Sequence, residues 1–104
     1  MISIESKLEE GVRIIQVGGD VDASSSIELD DELKGAIEGG DAKILVDCTS
    51  LNYISSAGLG VFMSYIQDLQ NKNITLVICG LNEKVLNVFE ILGLDQLLKI
   101  ETNV

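Results

Sequence analysis

The chain has no histidine, no proline and no tryptophan, and it holds only two cysteines. The missing histidine removes Ser-His and Cys-His nucleophile pairs, histidine metal sites and histidine general bases together. Cys48 and Cys79 form no Cys-x-x-Cys pattern, and each ends an apolar strand-like run. Cysteine in that setting behaves as a small buried hydrophobe, so free thiols are expected, and neither a metal nor a cofactor. Aromatic residues make up only 4% of the chain, so any core must be built from Ile, Leu and Val. Basic residues are also scarce, with 7 Lys and Arg against 17 Asp and Glu and a formal net charge of −10. A field of that sign repels nucleic-acid backbones and anionic headgroups, but it suits a partner with a basic face. The longest strongly apolar run, residues 74–81, is far shorter than the roughly 18 residues a membrane span requires. Residues 1–6 lack the basic-then-apolar order of a secretory signal, and the expected location is the cytoplasm.

What is present points to one folded domain. The 104 residues can bury a single core, and 46% hydrophobic residues argue against disorder. Ile2 and Ile4 alternate with polar residues, which predicts a half-buried first strand. Glu9, Glu10 and Gly11 make a turn into a second strand over residues 12–17, ended by Gly18-Gly19. Ser25 and Glu28 have capping-box spacing ahead of an apolar face of Leu29, Leu33, Ala36 and Ile37, and Gly39-Gly40 stop that helix. Residues 43–48 are nearly all apolar, as for a strand covered on both faces. Residues 74–79 repeat that pattern. Gly80-Leu81-Asn82 open a further helix with Val85, Val88, Phe89 and Leu92 on one face and Gly93 as its C-cap. Residues 94–100 supply a final turn and an edge strand, and 101–104 form a tail. Alternating strands and helices imply parallel central pairing with right-handed crossovers. The expected fold is therefore α/β over residues 1–104. Its mixed sheet of four to five strands has an antiparallel N-terminal hairpin, with helices packed on it.

The chain is organised around Asn52-Tyr53-Ile54-Ser55-Ser56-Ala57-Gly58-Leu59-Gly60-Val61. Leu59, Phe62, Met63, Ile66 and Leu69 recur at helical spacing, predicting a buried face on a helix over residues 56–70. Serine favours helix starts, so Ser55 or Ser56 stands at an N-terminus, where amides and the helix dipole favour negative charge. On local chemistry alone an ordinary serine cap suffices. Tyr53 and Ile54 anchor the loop from below.

The stretch from Asp47 through Ser55-Ser56-Ala57-Gly58-Leu59-Gly60, together with its flanking elements, resembles the signature of anti-sigma-factor antagonists in the STAS domain family. The resemblance implies a phosphorylation-gated binding module. The unphosphorylated antagonist would bind an anti-sigma factor that is also a serine kinase, releasing the sigma factor. The kinase would switch the antagonist off by phosphorylation, and a serine phosphatase would restore it. The Gly-Leu-Gly register puts the acceptor at Ser56. Ser55 stands where the family often has Asp and is a rival acceptor, and Ala57 replaces a frequent Ser or Thr. Asp22 matches a family Asp near the phosphorylated serine, although first-turn dipole complementation accounts for it equally well. Gly58 either admits a partner's backbone or reflects tight internal packing. Two alternatives stay open. One is a STAS domain in a transport complex or stress-sensor scaffold, with Ser56 only a helix cap. The other is a small hydrolase or transferase with Ser56 as nucleophile. The only bases for it are Asp22, Asp47 or a lysine, and a carboxylate alone activates a hydroxyl poorly. No Gly-x-x-x-x-Gly-Lys phosphate loop is present, and no enzymatic activity is expected.

Overall fold

The computed structural model describes residues 2–101, so the expected tail beyond Glu101 lies outside the described residues. Strands β1 (Ile2–Glu9) and β2 (Val12–Val21) form the expected antiparallel hairpin in unbroken register from Ile2↔Gly19 to Glu9↔Val12. Glu10 (φ 50°) and Gly11 (φ 81°) both take left-handed backbone. Two such residues make the tight turn whose twist matches that of the flanking strands. Then follow α1 (Ser26–Glu38), β3 (Lys43–Asp47), β4 (Leu51–Ile54) and α2 (Ser56–Asn71). The chain closes with β5 (Thr75–Cys79), α3 (Glu83–Ile91), α4 (Leu94–Leu97) and β6 (Lys99–Glu101). Sheet order is β1-β2-β3-β5-β6, with β2-β3, β3-β5 and β5-β6 all parallel.

The sheet has six strands rather than four or five, because the signature loop itself contributes β4. Nor does Gly18-Gly19 end β2. The register shifts between Gly19 and Asp20, and β2 exchanges β3 for β4 as its parallel neighbour along Gly19–Val21. Gly19, at φ 81°, makes that irregularity possible, and its N–H bonds Ser50 O at 2.9 Å. At Gly18 a Cβ would stand 2.9 Å from Ser3 Oγ and 3.1 Å from Ser50 Cβ, so the glycine lets the turn after β3 lie against β2.

One side of the sheet carries the core. Ile15 and Val17 of β2, Ile44 and Val46 of β3 and Leu76 and Ile78 of β5 pack under Leu29 and Leu33 of α1, Phe62 of α2 and Phe89 of α3. The rings of Phe62 and Phe89 meet at 6.0 Å between centroids and 57° between planes. β3 is not covered on both faces as its composition suggested. Its Leu45 points away from the core, in register with Ile14 of β2 and Val77 of β5, and all three are partly exposed. The buried helical faces are also narrower than their spacing suggested: Met63 is 50% exposed and Leu92 51% exposed. Gly93 takes the left-handed conformation just past α3, as its expected capping role requires.

The Tyr65 hydroxyl of α2 donates to Asp30 Oδ1 of α1 at 2.7 Å, tying the two helices together. Burial, helped by that bond and the Asp30 charge, pushes the phenol up to about 12. The folded chain therefore holds this proton more tightly than the unfolded chain, whose tyrosine titrates near 10. The stabilisation is complete below about pH 10 and is lost as pH rises through about 12. Tyr65→Phe is expected to cost roughly 0.5–1.5 kcal/mol at neutral pH. It should also flatten the alkaline decline of urea midpoints; an unchanged decline would show that Tyr65 does not carry it.

Candidate functional site

The candidate site is built where β2 and β4 end side by side. Ser55 N–H donates to Val21 O at 2.7 Å, so Asp22 and Ser55 leave neighbouring strand ends together. Leu51 and Ile54 turn into the core, at 3% and 6% exposure, and hold the loop from beneath. Tyr53 does not share that role: it is 53% exposed on the outer side.

The two serines divide their work. Ser55 is the N-cap of α2, in extended backbone, and its Oγ accepts the Gly58 N–H at 3.2 Å. Its backbone carbonyl accepts Leu59 N–H at 3.0 Å. Ser56 is the first residue of the helix and is exposed, as is Ala57. One and two turns on, Gly60 and Met63 are exposed too, and the spacing places Ser56, Gly60 and Met63 along one strip of α2. The outer surface of this helix start therefore carries hydroxyls and small or apolar groups, without a charge on its first turn.

Gly58 is buried. A Cβ there would lie 2.7 Å from Ile54 Cγ1 and 2.8 Å from Val21 Cγ1. The residue lets α2 sit down on the ends of β2 and β4, which decides between its two expected roles in favour of internal packing. Leu59 is core, as expected.

Asp22 is exposed and organises the turn into α1. Its Oδ1 accepts from the Ser25 N–H at 2.8 Å, the Ser25 hydroxyl at 2.9 Å and the Ser24 hydroxyl at 3.1 Å. These bonds, the Ser25 N–H foremost, hold its carboxyl down at about 2, so the loop carries a permanent negative charge. The Ser25–Glu28 capping box does not form. Ser25 Oγ turns back to Asp22 and to Asp20 O at 3.2 Å, because Asp22 offers it a charged acceptor just before the helix.

Two supports could not be read from residue spacing. Asn82, the N-cap of α3, accepts Val85 N–H at 2.9 Å and donates through Nδ2 to Leu51 O at 3.1 Å. It thus braces β4 from a residue 31 positions later in the chain. Asp47 Oδ1 accepts both the hydroxyl and the N–H of Thr49, at 2.6 and 3.0 Å. Partial burial works to raise the Asp47 pKa, but those bonds and Gln16 outweigh it and hold the carboxyl below its ordinary range. Asp47 therefore shapes a turn and is poorly suited to act as a base. Cys48 and Cys79 are buried free thiols. Burial pushes Cys48 up to about 12 and Cys79 upward as well, so both stay protonated and unreactive at neutral pH.

The STAS domain model matches residues 3–104, nearly the whole chain. The chain belongs to the STAS family. The anti-sigma-B factor antagonist of Listeria monocytogenes is 32% identical to this STAS domain over 101 residues, covering 96% of this chain and 89% of the relative. Its fold matches an anti-sigma factor antagonist from Mycobacterium paratuberculosis at a TM-score of 0.91 and 14% identity, over 100% of this chain and 88% of the other. It also matches the phosphorylated form of SpoIIAA, the Bacillus cell fate determinant, at a TM-score of 0.73 and 17% identity, over 98% and 92% of the two chains. No helix of the STAS domain is long and apolar enough, among the described residues, to cross a membrane.

Proposed function

We propose that this STAS domain is an anti-sigma factor antagonist switched by phosphorylation of Ser56. Unmodified, it binds an anti-sigma factor that is also a serine kinase and thereby frees a sigma factor. In the off-switch the Ser56 oxygen bonds the γ-phosphorus of ATP, the bond to the ADP oxygen breaks, and the hydroxyl proton is lost to solvent or a kinase base. A serine phosphatase uses water to release inorganic phosphate and restore the hydroxyl. The protein itself is a binding module and supplies no catalytic group. It works in the cytoplasm, where its partners and ATP are found.

The observation that carries this reading is the division between the two serines. The Ser55 oxygen is engaged with the Gly58 amide, while Ser56 is exposed at the first helical position, in register with Gly58-Leu59-Gly60. The kinship with a protein named anti-sigma-B factor antagonist supports the same reading. Around Ser56, the exposed Tyr53, Ala57 and Met63 offer a docking surface without charge, bordered by Asp22. Kinase captured from native lysate on the unmodified protein, then supplied with ATP, should phosphorylate Ser56 alone by peptide mapping. Ser56→Ala should abolish labelling. Dominant modification of Ser55, or labelling that survives Ser56→Ala, would overturn the assignment.

A further inference from the structure

The outer edge of the sheet offers a second interaction surface. β1 is the terminal strand, eight residues long and paired among the described residues only with β2, without a bulge in its register. Its protection as an edge is confined to the exposed charges of Glu5, Lys7 and Glu9. It has no proline, it is not short, and its one lysine stands between two glutamates on the same side of the strand. Leu8 is 58% exposed on that edge, beyond the reach of the core.

We propose that β1 pairs with β1 of a second copy of this chain, antiparallel about a two-fold axis at Ser6. Charge and length of overlap together choose that register, since centring on Leu8 also sets Lys7 against Glu9 twice but joins only residues 7–9. Even-numbered residues of β1 face the helical side of the sheet and odd-numbered ones the open side, since Ile4 pairs with Val17 and Lys7 with Ile14. Strand pairing about an axis normal to the sheet must match even with even and odd with odd. Centring on Glu5 sets Glu5 against Glu5, and centring on Lys7 sets Lys7 against Lys7 and Glu5 against Glu9. Centring on Ser6 sets Glu5 against Lys7 twice, once on each side of the axis, and places Ile4 opposite Leu8 on the helical side. It thus turns like-charge contacts into two cross-strand ion pairs and covers the exposed leucine. Lys7 already leans toward a carboxylate in the single chain, with its Nζ 3.5 Å from Glu9 Oε2. β4 lies on the other side of β2 at Gly19, so the start of α2 and Ser56 stay clear of this interface. The dimer would present two switch serines at once.

Edge pairing of this length buries little area, so the association belongs to the weak, concentration-dependent class. Sedimentation equilibrium of the whole chain, in a series rising to millimolar, should show monomers converting to dimers. Glu5→Lys and Lys7→Glu should each weaken dimerisation by roughly tenfold or more, because each sets like charges opposite one another at both pairs. A mixture of these two variants should associate again. Positions 5 and 7 are then both basic in one chain and both acidic in the other, so opposite charges face each other at both pairs. The double variant Glu5→Lys/Lys7→Glu should dimerise alone. All these side chains are exposed, and unchanged circular dichroism will separate lost pairing from lost folding. A wild-type chain that stays monomeric throughout, a dimer indifferent to both single changes, or a mixture that fails to associate would each overturn the proposal.

Discussion

Phosphorylated at Ser56, the protein is expected to lose its partner while its melting temperature hardly moves. The phosphate adds a charge of about −1.5 to −2 at neutral pH. It sits at the first position of α2, where the helix amides and dipole favour an anion, and the local effect on stability is about 0.3–1 kcal/mol. No core contact is asked to change, because the Ser56 side chain is exposed and the packing beneath it belongs to Gly58, Leu59 and Ile54. At the proposed docking surface around Ser56 the balance is different. Partner groups matched to a hydroxyl beside Tyr53 and Met63 meet a dianion next to the fixed charge of Asp22. Lost complementarity and like-charge contact there cost several kcal/mol, and each ~1.4 kcal/mol is tenfold in affinity. Ser56→Glu carries less charge and should weaken binding in part. Titration calorimetry with authentic phosphoprotein is the stricter measurement. Binding as tight as that of the unmodified chain, or a collapsed melting curve, would show that the switch does not work this way.

Two glycines of the same helix should respond in opposite directions to the same change. Gly60→Ala meets nothing within 4 Å, so it should stabilise the protein by up to about 1 kcal/mol through helix propensity and a less flexible unfolded chain. Gly58→Ala gains the same propensity but drives a methyl to 2.7 Å from Ile54 Cγ1 and 2.8 Å from Val21 Cγ1. Both obstacles are buried branched side chains with little room to move, and overpacking of this kind costs roughly 1–3 kcal/mol. Gly58→Val should cost more, since it adds two further methyls, held near one χ1 rotamer, where a Cβ already meets Ile54 and Val21. Because α2 would be pushed off the ends of β2 and β4, partner binding should fall in the same variants even where they remain folded. Urea denaturation of the three variants reads the stability. If Gly58→Ala proves as harmless as Gly60→Ala, the packing beneath the signature is looser than the distances imply.

Local chemistry determined much of this protein before any fold was known. The period of two in residues 2–5, the Glu10-Gly11 turn, the 3.6-residue period of α1 and α2 and the left-handed Gly93 are each set within a few neighbouring residues. The signature likewise marked the helix start at Ser55-Ser56. Tertiary structure decided the rest, because those outcomes depend on contacts between residues distant in the chain. Nothing local to Leu51–Ile54 marks a strand; it pairs because β2 outruns β3 and leaves Gly19–Val21 without a neighbour on that side. The apolar composition of β3 is the same whether helices cover one face or two, and only their placement left Leu45 on the open side. Met63 and Leu92 obey helical periodicity, yet they lie at the margins of their buried stripes, where the neighbouring elements end. Capping by Asp22 rather than by the Ser25–Glu28 pair turned on which acceptor the Ser25 hydroxyl could reach. The different surroundings of the two serines were also a matter of three dimensions. Ser55 leaves β4 in extended backbone and turns its oxygen onto the Gly58 amide, and Ser56, one residue later, faces solvent.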